Sequence, residues 1–80
     1  MQLILYTRDG CHLCDRLERL ITPTLAKQQI VLVKRNILDR DDWYETYWAR
    51  IPVLMAGDRV LVEGKPTEAE VQRVMSEMAG

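Results

Sequence analysis

Two short apolar runs bracket a one-faced helix near the start of this chain. Residues 2–6 read QLILY and residues 30–33 read IVLV. Runs this short, rich in branched side chains, are predicted to be buried strands. Between them Leu13, Leu17, Leu20, Ile21 and Leu25 recur at spacings of 4, 3, 1 and 4. That spacing draws one apolar stripe along a helix. The opposite face carries Asp15, Arg16, Glu18 and Arg19, with Asp15 and Arg19 placed for a helical ion pair. TRDG, residues 7–10, is a turn. A strand–helix–strand unit of this length fits a parallel crossover. Pro23 falls inside the helical stripe. It is predicted to kink the helix, or to restart it with Thr22 as N-cap.

The remaining chain adds a helix, a hairpin and a last helix. LDRDDWYETYWAR, residues 38–50, has Asp39 as its predicted N-cap and acids in its first turn. IPVLM, residues 51–55, is a strand opened by a proline, AGD is a turn, and RVLV, residues 59–62, returns antiparallel. GKP breaks the chain, and Thr67 with Glu70 forms a capping box for a final helix. Its apolar face is Val71, Val74, Met75 and Met78. The order is β-α-β-α-β-β-α. One four-stranded mixed sheet flanked by three helices accounts for it, an α/β fold in a single domain over residues 1–80.

Composition excludes several classes. The chain has 80 residues, 48% of them hydrophobic, and a net charge of −1 with interspersed signs. Nothing resembles a basic stripe, so no nucleic-acid partner is expected. No apolar run approaches a membrane span, so no membrane partner is expected. MQLILYTRDG lacks a charged lead, a long apolar region and a cleavage site, so a secretory signal is not expected.

The only cysteines are Cys11 and Cys14, in GCHLC. As a staple the pair closes a loop too small to constrain the unfolded chain much. As half of a structural zinc site it falls short, because four ligands are needed and only His12 stands nearby. Metal or iron–sulfur binding would need a dimer sharing the site. A redox pair fits best. Residues three apart share a helix face, with Cβ atoms about 5–6 Å apart. A disulfide then forms within its permitted Cα separation. Cys11 lies at the first helical turn, where free N–H groups and the helix dipole favour negative charge. A pKa lowered by about 2 would make it mostly thiolate, a preference of roughly 2.7 kcal/mol. Cys14 lies deeper, on the side of Leu17 and Ile21. Cys11 is therefore predicted to attack and Cys14 to resolve the mixed disulfide. His12 between them is either an added positive charge or an exposed residue at a helix start. Arg8 steadies the thiolate or an anionic substrate, or else stands in water as a loop arginine.

LYTRDGCHLCDRLERLI and ARIPVL together resemble the thioredoxin superfamily, in its small glutaredoxin branch. The likeness is strongest to a bacterial family of small glutaredoxin-like proteins of unassigned function, and it covers essentially the whole chain. It implies a thioredoxin-like, glutaredoxin-type fold with Pro52 in the cis form. It also implies that Ile51 pairs its backbone with an extended substrate, a form of strand addition.

Departures from the glutaredoxin pattern bear on the partner. His12 and Leu13 replace the proline and aromatic usual between the cysteines, and Arg50 stands where threonine is common. VEGKPTEAE keeps only Gly64 of a Gly-Gly pair. Arg8 and Arg50 suit the carboxylates of glutathione, whereas Val62 and Glu63 suit its γ-glutamyl end poorly. Each lost charged hydrogen bond is worth roughly 1.5–3 kcal/mol. Glutathione is therefore disfavoured as partner, and no cofactor or metal is expected. The first strand lacks the buried acid of thioredoxin, so proton transfer at Cys14 uses another group or water. Trp43, Tyr44, Tyr47 and Trp48 form two (i, i+4) pairs that cannot all face the core. Some are expected to be exposed or to lie against the loop before Pro52, either as core packing plus ordinary surface tyrosine or as a contact surface for a protein partner.

The expected function is thiol–disulfide exchange on a protein or small-molecule disulfide, by a cytoplasmic monomer whose reductant the sequence does not identify. Cys11 and Cys14 are the predicted catalytic residues, with Arg8, His12, Arg50, Ile51 and Pro52 around the substrate. A thioredoxin-fold binding module without turnover is the alternative, beside the dimeric metal site.

Overall fold

The computed structural model describes residues 1–79. Strands β1 (Gln2–Thr7), β2 (Val31–Asn36), β3 (Val53–Ala56) and β4 (Arg59–Glu63) form one sheet in the order β2-β1-β3-β4. β1 and β2 are parallel, while β1–β3 and β3–β4 are antiparallel. Helices α1 (His12–Lys27), α2 (Asp41–Tyr47) and α3 (Glu68–Ala79) complete the predicted order.

Side chains alternate across the sheet, and this alternation sorts the core into two layers. Leu3 and Leu5 of β1 and Leu54 of β3 face Leu17, Ile21 and Leu25 of α1 and Val71, Val74 and Met75 of α3. Tyr6 and Val53, from the same strands, point the other way. They meet Ile37 and, at the edge, Trp43, Tyr47 and Ile51. Apolar stripes on α1 and α3 thus bury one face, and α2 covers the other with aromatic rings.

Four local expectations change. Pro23 does not restart α1, which runs unbroken from His12 to Lys27. Pro23 is exposed, so the Arg19 carbonyl that loses its N–H partner lies where water can replace it. Thr22, instead of capping, donates its hydroxyl to the Glu18 carbonyl at 2.6 Å. The Asp15–Arg19 pair does not form among the described residues. Glu18 instead reaches Lys34 of β2 at 3.0 Å. Asp39 does not cap α2. The Asn36 side chain accepts from Leu38 N–H at 2.9 Å and opens a 3-10 turn over Ile37–Asp39, which moves the helix start to Asp41. β3 begins at Val53 rather than residue 51, because Ile51 and Pro52 bend through a cis peptide before the ladder starts. Thr67 behaves as expected, its hydroxyl accepting from Glu70 N–H at 3.1 Å.

Candidate functional site

β1 delivers the chain to one end of the sheet at Thr7. Gly10, at φ 76°, takes the left-handed conformation that lets the TRDG turn feed straight into α1. Cys11 is the N-cap of that helix. Its Sγ accepts from the Cys14 backbone N–H at 3.1 Å, and its carbonyl accepts from Asp15 N–H at 3.1 Å. The cap role normally belongs to an oxygen, and here a sulfur holds one of the free amide donors. Cys11 and Cys14 are joined as a disulfide with Cα atoms 5.2 Å apart. Cys11 is half-buried, whereas Cys14 is 1% exposed. His12 and Leu13 between them face solvent.

The Ile51–Pro52 bend sits at the same end of the sheet. Tyr6 of β1 pairs with Val53, so Pro52 lies just beyond that ladder, beside the turn that carries Cys11. Pro52 is fully buried and Ile51 half-buried. Gly64, at φ 71°, aims its N–H at both the Arg50 and the Pro52 carbonyls, each at 2.9 Å. The Ile51 N–H donates to the Tyr47 carbonyl at 3.1 Å. The Ile51 N–H is therefore engaged within the chain, so the expected pairing of both Ile51 backbone groups with an extended substrate does not hold.

The two candidate cations stand apart. Arg8 is exposed and lines a polar cleft of about 260 Å³ with Asp9, Asp15, Lys34 and Asn36, on the β2 side of the cysteines. Arg50 stands toward β4. Its Nε donates to Glu63 Oε2 at 2.8 Å, and its guanidinium lies 5.2 Å from the Tyr47 ring centre. The sequence reading sets Glu63 against a glutathione carboxylate, and the structure pairs it with Arg50. Hairpin counting misses this pairing. A bulge between Leu54 and Met55 shifts the register by one, which brings Glu63 opposite Val53.

The aromatic quartet of α2 divides as its spacing requires. Tyr47 stacks on Tyr6 with centroids 3.9 Å apart, and Trp43 meets Tyr6 edge-on at 5.9 Å. Arg35 covers Tyr6 and Trp43 and donates to the Tyr6 hydroxyl at 2.8 Å. Burial pushes the Tyr47 phenol pKa up and the adjacent Tyr6 adds to it, while Arg50 and Arg35 work against the rise. Tyr44 and Trp48 are the exposed pair, Trp48 at 60%. Beside Leu13 an apolar groove of about 540 Å³ opens toward Lys65 and Pro66, and Arg16 spans it by donating to the Pro66 carbonyl at 3.1 Å.

Residues 2–77 match the family model for the Glutaredoxin-like domain (DUF836). The chain belongs to this glutaredoxin-like family. It is 30% identical to target protein XcR50 from X. campestris, over 98% of this chain and 99% of that one, with a TM-score of 0.66. Two thioredoxins share the fold at lower identity. Deadhead from Drosophila melanogaster is 18% identical, with 96% and 79% of the two chains covered and a TM-score of 0.64. Oxidised thioredoxin from Plasmodium falciparum is 10% identical, with 99% and 81% covered and a TM-score of 0.65. The curated proteins give no match. The chain is a redox-type thioredoxin-fold protein with its Cys11–Cys14 disulfide at the start of α1.

Proposed function

We propose that this glutaredoxin-like protein is a thiol–disulfide oxidoreductase that cycles Cys11 and Cys14 between dithiol and disulfide. The observation that carries the reading is the asymmetry of the pair. Cys11 caps α1 at the surface and draws an amide hydrogen bond, while Cys14 is buried one turn below. In the reduced protein the Cys11 thiolate attacks one sulfur of a substrate disulfide. A Cys11–substrate bond forms, and the second substrate sulfur leaves as a thiolate that takes a proton from water. Cys14 then gives its proton to solvent and attacks the Cys11 sulfur. The protein disulfide forms and the first substrate sulfur leaves as a thiol. Two electrons and two protons pass from the dithiol to the substrate, and a dithiol reductant reverses the cycle.

The groove at Leu13 and the Ile51 carbonyl favour an extended polypeptide disulfide over a compact one. Arg8 and His12 flank Cys11 on the open side, where an anionic or polar substrate group would meet them. The same reading has the chain acting as a cytoplasmic monomer without a cofactor. It is tested by trapping. Cys14→Ser, incubated with a peptide disulfide, is expected to accumulate a stable Cys11–peptide adduct by mass spectrometry, and the wild-type chain to release both halves as thiols. Equal release by both proteins, or no adduct in either, overturns it.

A further inference from the structure

Arg50 is held three ways beside the Ile51–Pro52 bend. Its carbonyl accepts from Gly64 N–H, its guanidinium faces the Tyr47 ring, and its Nε donates to Glu63. Both side chains of the ion pair stay accessible, at 40% and 45% exposure. A substrate segment that pairs at the Ile51 carbonyl passes within reach of this pair. An unpaired arginine there would be a planar, two-pronged carboxylate receptor. Glu63 occupies one donor of that fork and cancels its charge.

We infer that Glu63 sets the charge preference of the Cys11–Cys14 centre by neutralising Arg50. The pair selects against small thiols with a carboxylate near the sulfur and leaves neutral or cationic polypeptide disulfides as the substrate class. This deepens the redox reading and rests on it. The chemistry that distinguishes the classes is the reduction step. A glutathione thiolate attacks the Cys11 sulfur, the Cys11–Cys14 bond breaks, and the Cys14 thiolate takes a proton. A second glutathione thiolate then attacks the glutathione sulfur of the mixed disulfide, releasing glutathione disulfide and the Cys11 thiolate. Two thiols are oxidised and one protein disulfide is reduced.

Glu63→Gln keeps the side-chain shape and leaves the Arg50 charge uncancelled. Glu77→Gln removes one exposed charge elsewhere on the surface without touching Arg50, and Arg50→Gln/Glu63→Gln removes the fork. Two readouts apply. The first is binding of unreactive S-methylglutathione to the oxidised protein by NMR titration, and the second is the rate of reduction by glutathione relative to dithiothreitol, a neutral dithiol. Exposed pairs are weak, so Glu63→Gln is expected to raise both by about fivefold. The gain is expected to shrink at high salt, and to be absent in Glu77→Gln and in the double variant. Equal binding by Glu63→Gln and wild type, or the same gain in either comparison variant, overturns the inference. A disulfide that dithiothreitol does not reduce would instead overturn the redox reading. The S-methylglutathione titration needs no turnover, so it still decides on Glu63.

Discussion

Sulfur at a helix N-cap gives Cys11 different surroundings from Cys14, three residues on. When the disulfide is reduced, the amide donor now bonded to Cys11 Sγ and the dipole of a 16-residue helix favour the Cys11 thiolate. Cys14, 1% exposed with no charged residue among the buried described ones, has nothing comparable to stabilise a thiolate. Alkylation of the reduced chain at mildly acidic pH, followed by peptide mapping, is expected to label Cys11 well before Cys14. Faster labelling of Cys14 would reverse the two roles. The cap position of Cys11 and the burial of Cys14 were legible in the sequence, because a Cys-x-x-Cys at a turn–helix junction leaves little freedom. The partners of Arg50 and Ile51 were not. They depend on a one-residue bulge and on a turn that returns the Ile51 N–H to Tyr47, neither of which leaves a periodic signal.

At the scale of elements, α2 is held by its rings. It has seven residues and no side-chain cap, so it is too short to be stable alone. The Tyr6–Tyr47 stack and the guanidiniums of Arg35, Arg40 and Arg50 over its rings secure it to the sheet. The raised Tyr47 pKa has a consequence for stability. The folded state prefers the neutral phenol, so its contribution is complete below the unfolded value of about 10 and is lost as pH rises beyond it. Urea titrations at pH 8 and pH 11 are expected to show Tyr47→Phe losing less stability across that interval than wild type. An equal or larger loss would mean that Tyr47 ionises freely. The (i, i+4) spacing foretold that the four aromatics could not all point one way, so that some would be exposed or lie against the loop before Pro52. It did not say which, because that depends on where the 3-10 turn at Ile37–Asp39 sets the start of α2. Sequence rules favoured Asp39 as the cap, and the Asn36 side chain took the earlier turn instead.

Over the whole molecule, the sheet order brings the redox pair, the Ile51–Pro52 bend and the Arg50–Glu63 pair to one end. Helices α1 and α3 on one face and the ring layer under α2 on the other leave that end open. A chain of this size buries only about 60% of its unfolded surface, so its site must stand on a small scaffold. The element order was readable from period and turn residues because each stripe has one face to bury. Sheet contacts across the hairpin were less so, since a single bulged residue shifts every partner beyond it. The measurement closest to the central claim is the rate at which the reduced protein exchanges with a neutral peptide disulfide at pH 7, against an unstructured peptide containing Cys-x-x-Cys. More thiolate speeds attack, but a more stable thiolate is a poorer nucleophile, so this source alone is worth about threefold. The expected result is exchange at least that much faster, abolished in Cys11→Ser. A rate equal to or below that of the unstructured peptide would contradict a redox role for the pair and favour a thioredoxin-fold binding module.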